Sequence, residues 1–168
     1  MRKTNKTPES HCLEHAIRLL TRTTQSKRRL HEKLSAAYPT TLIEDTLKEL
    51  EARGMLNEEK DCRLWLNHHL IGSKSNKEIF YALLNRGYDK ELVTEVMKEI
   101  GEDREIEVVQ RLLQQKLRGK PKTTVAVQKV WLFLQRKGFS SNVIRVTLQQ
   151  QKFEEEILSI EENTDSSS

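Results

Sequence analysis

Ser75-Asn76-Lys77-Glu78-Ile79-Phe80-Tyr81-Ala82-Leu83-Leu84-Asn85-Arg86-Gly87 carries a complete helix signal. Ser75 and Glu78 match a capping box, in which each side chain satisfies a backbone N–H that the first turn leaves over. Ile79, Leu83 and Gly87 follow at four-residue steps, so one apolar line ends on a breaker. The same arrangement stands 49 residues earlier as Leu30, Leu34 and Tyr38, and 51 residues later as Val130, Leu134 and Gly138. Three copies at this period read as a repeat array, in which each small core is completed by its neighbours.

The flanking segments supply two more helices per round. In the first round Thr7-Pro8 opens a helix with the stripe Leu13, Ala16, Ile17 and Leu20. Ser26 caps the second helix and Pro39 stops it. Thr41 and Glu44 read as a capping box for a third, with Ile43, Leu47 and Leu50 inside and Gly54 after it. Asn57 and Asp89 open the outer helices of the second round, which Gly72 and Gly101 close. Asp103, Thr123 or Thr124, and Ser140 or Ser141 open those of the third. No stretch alternates with period two over a strand length. The expected fold is all-α: three tandem three-helix repeats, residues 7–56, 57–102 and 103–153, in an elongated, curved array. Residues 154–168 are expected to form an acidic, largely disordered tail.

Composition agrees with several small cores better than one deep one, because only 36% of the residues are hydrophobic and 32% are charged. Cys12 and Cys62 are far apart and read as small semi-buried hydrophobes in a reducing compartment. The basic N-terminus leads into no apolar signal core, and no run approaches the ~18 apolar residues of a membrane span. The expected location is the cytoplasm.

Charge is segregated along the chain. Residues 1–33 carry a net +6 and residues 34–107 a net −6; residues 108–153 hold ten Lys/Arg and no acid, and residues 154–168 hold six acids and no base. Ordinary solvated helices mix signs, so a 46-residue span without a carboxylate points to a polyanionic partner or an acidic protein surface. Trp131 and Phe139 fall at core positions, which argues against a platform that stacks single-stranded bases.

Catalytic chemistry finds little support. His11-Cys12-Leu13-Glu14-His15 matches H-x-x-E-H, a pattern in which two histidines on one helical face hold zinc. It has no evident third ligand, and the inward face of its helix is already aliphatic. The six glycines are isolated and read as helix ends, so no phosphate-cradling loop is present. No catalytic residue, cofactor or metal is expected.

The motifs, taken in order, resemble those of the RecX regulatory proteins. Ala16-Ile17-Arg18-Leu19-Leu20 followed by Ser26 to Leu34 is similar to that family's opening signature, with Arg29 where the family usually has glutamate. Leu47 to Asp61, Ile79 to Tyr88, and Lys129 to Phe139 with Ile144 and Leu148 resemble the later ones. The likeness runs from about residue 12 to residue 149. It implies three three-helix repeats and a negative regulator that binds the RecA–single-stranded DNA filament and inhibits its ATPase and strand exchange. The implied partner is that filament, met by a monomer, with weak direct DNA contact as a secondary element and no membrane. The outward-facing bases expected to make the contacts are Arg28, Lys33, Lys129, Arg136, Lys137 and Arg145. The rival reading is a stand-alone helical DNA-binding protein acting through its basic third repeat.

Overall fold

A computed structural model describes residues 7–101, 103–119, 121 and 123–153. Among them are nine helices and no strand: α1 (Pro8–Leu20), α2 (Lys27–Leu34), α3 (Thr40–Ala52), α4 (Glu58–Leu70), α5 (Asn76–Asn85), α6 (Lys90–Met97), α7 (Arg104–Leu117), α8 (Thr124–Arg136) and α9 (Ser141–Gln150). They fall into three rounds of three, as the repeat reading expects. The expected acidic tail, 154–168, lies outside the described residues.

The chain forms two compact units, one of Met1–His68 with Ala82–Val96 and the other of His69–Tyr81 with Met97–Ser168. The boundaries fall within α4, α5 and α6. In the first unit α1, α2 and α3 enclose Cys12, Ala16, Leu30, Leu34, Ile43, Leu50 and Leu56. In the second, α7, α8 and α9 enclose a larger core that includes Val109, Leu113, Val127, Trp131, Leu134, Phe139, Ile144 and Phe153. Each fully buried leucine or isoleucine contributes about 1.5–3 kcal/mol, which holds helices too short to persist alone.

Most helix starts obey their caps. Thr7, Ser26, Thr123 and Ser140 accept from the backbone N–H three residues on. Ser75 and Glu78 form the full reciprocal box, Glu78 N–H to Ser75 Oγ at 3.1 Å and Ser75 N–H to Glu78 Oε2 at 3.0 Å. The Thr41–Glu44 box does not form. α3 begins two residues earlier than that box would start it, with Pro39 at the cap position and no side-chain cap bond. Pro39 therefore starts α3, and α2 has already ended at Leu34.

The helix ends explain the repeat spacing. After α5 and α8, Gly87 and Gly138 take φ of +87° and +86°. The next residues, Tyr88 and Phe139, return their N–H groups to Leu83 and Leu134 at 3.4 and 3.2 Å. This closure tucks an aromatic ring under the helix end. After α2 no glycine intervenes, and Tyr38 N–H reaches Leu34 O at 3.0 Å one residue sooner. α9 closes the same way without glycine: Lys152 takes φ +61° and Phe153 N–H reaches Leu148 O at 3.1 Å. Sequence reading had no glycine to mark that turn.

Candidate partner-binding surface

The basic side chains divide into those that hold the fold and those that face outward. α2 buries Leu30 and Leu34, which turns Arg28, Arg29, Glu32 and Lys33 to the surface. Arg28 Nε pairs with Glu32 at 3.1 Å. Arg29 reaches Glu32 at 3.3 Å and donates through Nη2 to the Asn85 carbonyl at 2.7 Å, so it is a tether within the first unit. Beside it lies a polar cleft of about 320 Å³ whose walls include Thr24, Gln25, Arg29, Lys33 and Arg86. Arg86 is fixed there, donating through Nη2 to Thr24 O at 3.1 Å and lying 5.5 Å from the Trp65 ring centre. Lys33 is exposed at the rim of that cleft.

In the second unit α8 buries Val127, Val130, Trp131 and Leu134. Its other face carries Val125, Lys129, Leu132 and Arg136, at helical spacing and all exposed. Val125 is 60% exposed and Leu132 50%. The two predicted bases on this helix therefore share their face with two unburied apolar side chains. A charge-based reading missed that pair, although their positions off the Val130–Leu134 line were visible in the sequence. A groove of about 390 Å³ beside this face is lined by Lys116, Leu117, Val125, Lys129 and Phe133, with Lys116 Nζ 4.5 Å from the Phe133 ring centre. Arg145 is exposed on α9.

Lys137 departs from the expected outward orientation. Its ammonium lies 3.4 Å from Glu78, its side chain is only 24% exposed, and its carbonyl accepts from Ser75 Oγ at 2.6 Å. A side chain at a helix C-cap is drawn to whatever packs over that end, and here that is the cap of α5. Arg104, which the sequence reading passed over, has a similar task. It donates to the carbonyls of Leu70 and Lys74 and to Asn76 Oδ1 over 2.8–3.2 Å, and burial pulls its pKa down.

The contact between Ser75 and Lys137 has a counterpart in the first unit. Ser26 caps α2 and donates to Arg86 O at 2.8 Å, just before Gly87. Ser75 caps α5 and meets Lys137 O, just before Gly138. The following N–H groups, Lys27 and Asn76, donate to Glu58 and Glu105 at 2.8 and 2.7 Å. Each unit thus contains one two-point clasp between the start of a second helix and the following round. A Cβ on Gly87 or Gly138 would lie 2.6 Å from Ser26 Oγ or 2.9 Å from Ser75 Oγ.

The H-x-x-E-H residues occupy a helical surface. His11 is exposed, its carbonyl accepts from the Tyr38 hydroxyl at 3.3 Å, and the His15 ring sits edge-on to Tyr38 at 5.8 Å. Among the described residues no three metal-ligating side chains converge, and no helix is long and apolar enough to cross a membrane.

Comparison with known proteins bears on this arrangement. The family described as RecX, third three-helix domain, matches residues 102–148, which hold α7, α8 and most of α9. The regulatory protein RecX of Caldanaerobacter subterraneus subsp. tengcongensis is 25% identical over 136 residues, 80% of this chain and 67% of that protein. Residues 102–148 are thus similar to the third three-helix domain of RecX, and about four fifths of the chain is similar to a RecX protein. The regulatory protein RecX of Clostridioides difficile is 26% identical over 137 residues, covering 79% of this chain and 64% of its own length. The chain thus spans about two thirds of the RecX relatives it matches. The crystal structure of RecX from Lactobacillus salivarius superposes with a TM-score of 0.79 at 17% identity, over 86% of this chain and 97% of that one. A further crystal structure of regulatory protein RecX gives 0.72 at 18% identity, over 84% of this chain and 71% of that one. These likenesses carry the helical repeat fold.

Proposed function

We propose that this chain is a negative regulator of the RecA recombinase that binds the RecA–single-stranded DNA filament and slows its ATPase and strand exchange. It acts by binding and performs no catalysis. The observation that carries the reading is the outer face of α8, where Lys129 and Arg136 alternate with the exposed Val125 and Leu132 in a span that holds no carboxylate. Non-specific binding to bare DNA draws its affinity from cations on phosphate and gains nothing from exposed apolar side chains. A protein surface that carries acids also offers apolar area, and buried apolar anchors supply most interface energy. Similarity to these relatives supports the same reading, since they are named regulatory proteins.

The test is RecA ATP hydrolysis on single-stranded DNA with the protein titrated in. Turnover is expected to fall below one regulator per RecA subunit, because one body with several contact points can affect more than one subunit of a repeating partner. Turnover untouched over a wide range, with tight binding to bare DNA, would instead establish the DNA-binding reading.

A further inference from the structure

We propose that the polar cleft beside α2, in the first unit, is a binding site for the dianion of a phosphate monoester or of free phosphate, with Arg29, Lys33 and Arg86 as its cations. The cleft has a volume of about 320 Å³, and Thr23 and Thr24 bring hydroxyls to the same walls. No residue lining it is acidic. A cleft of this size belongs with small-ligand sites and is far too small for a folded partner. The site does not depend on RecA as the partner of this chain.

The fold gathers these cations at a cost. Arg29 and Lys33 lie one turn apart on α2 and share a face. Arg86 joins them from the residue after α5. Like charges brought together repel, and a carboxylate among them would relieve it. The neighbouring acid, Glu32, is divided between Arg28 and Arg29, at 3.1 and 3.3 Å. The other bonds that hold the two arginines are to neutral groups. Arg29 Nη2 donates to Asn85 O at 2.7 Å and Arg86 Nη2 to Thr24 O at 3.1 Å, with Arg86 also 5.5 Å from the Trp65 ring centre. These bonds orient the guanidinium groups without neutralising them, and each group keeps N–H donors to spare. An arriving anion therefore has only the exposed Lys33 side chain to order. Charge then selects the ligand. Three cations against one shared carboxylate leave a surplus of about two charges, and a phosphate monoester carries about −1.5 to −2 at neutral pH. Its three terminal oxygens also give each cation an acceptor. A phosphodiester or a carboxylate brings one charge and leaves a cation uncompensated.

The test titrates inorganic phosphate into the full chain at constant ionic strength and follows heteronuclear correlation spectra. The amides of Thr24, Arg29, Lys33 and Arg86 are expected to shift and saturate together, while those of Leu134 and Ile144 in the second unit stay in place. Lys33→Gln should weaken phosphate about tenfold. Lys48→Gln removes the same charge from an exposed position on α3 that does not line the cleft, and should leave the affinity unchanged. Circular dichroism checks that both variants keep their helix content. Adenosine 5′-monophosphate, and oligothymidylate with and without a 5′-phosphate, then give the source. Tighter binding of the nucleotide than of phosphate assigns the cleft to nucleotides, a gain from the 5′-phosphate assigns it to strand ends, and no gain from either assigns it to the free anion; each supports the site. Dimethyl phosphate binding as well as phosphate overturns the proposal and gives the cleft to a nucleic-acid backbone. Acetate binding as well as phosphate overturns it in favour of an acidic side chain. Unmoved cleft amides, or equal losses in Lys33→Gln and Lys48→Gln, leave only the net charge of the chain and overturn it too.

Discussion

Tyr88 shows how a single buried group ties stability to pH. It is 3% exposed, and its hydroxyl has no hydrogen-bond partner of proper geometry. Burial first, and the Asp61 carboxylate second, push its pKa up to about 12, against the pull of Arg86. Below the ordinary tyrosine range both folded and unfolded forms keep the proton. As pH rises from there toward about 12 the unfolded chain ionises first, so stability falls across that window. Tyr88→Phe removes this loss. At neutral pH it should cost at most about 1 kcal/mol, since the hydroxyl it deletes is already unpaired. Urea denaturation at neutral and alkaline pH checks both statements; an equal alkaline loss in the two proteins would count against the assignment. None of this was legible in the sequence, where Tyr88 was only the residue after a glycine. Lys137 makes the same point. Its neighbours Gly138 and Phe139 were read correctly, but its charge could be assigned only once Glu78, 59 positions away, was seen beside it.

The helices themselves were legible because apolar spacing, caps and breakers are local signals. Leu30/Leu34, Ile79/Leu83 and Val130/Leu134 fell where they were expected, five of these six being under 2% exposed. The clasps were not legible. Ser26 and Ser75 reach carbonyls 60 and 62 positions on, and a cap serine looks the same whether or not its hydroxyl has a second partner. The structure gives Gly87 and Gly138 a different weight from the other glycines. Gly54 also has a positive φ, +67°, but a Cβ there would meet nothing within 4 Å. Gly54→Ala should therefore cost only the left-handed strain, about 1–2 kcal/mol. Gly87→Ala and Gly138→Ala add the loss of a clasp hydrogen bond, about 1 kcal/mol more each. Ser26→Ala and Ser75→Ala should cost about 1–2 kcal/mol, as a lost cap and a carbonyl left without its donor. Denaturation midpoints rank the five variants, and a Gly54→Ala as damaging as Gly138→Ala would show that backbone strain alone decides the order.

Across the whole chain, cations face outward in both compact units, and this makes the regulatory reading testable in a way that one patch would not. Arg28 and Lys33 lie in the first unit, Lys129 and Arg136 in the second, and all four are exposed. Lys137 is excluded from the design because its reversal would set a second carboxylate against Glu78 and destabilise the α5 cap. Surface reversals at the other four should change folding by no more than about 0.5 kcal/mol each, so circular dichroism should show unchanged helix content. If a repeating partner engages both units at once, the two sets of contacts add in free energy and their losses multiply. Lys129→Glu with Arg136→Glu should raise the concentration needed to inhibit RecA turnover by about tenfold, and Arg28→Glu with Lys33→Glu by a smaller factor, because Arg28 already spends part of its charge on Glu32. The fourfold variant should approach the product of the two factors, and its residual inhibition should depend less on added salt. A fourfold variant no weaker than the α8 pair alone would mean that only the second unit meets the filament. Leu132→Ser then separates the two kinds of partner: it should weaken inhibition of RecA while leaving non-specific binding to bare DNA unchanged, since phosphate gives an apolar side chain nothing to pack against.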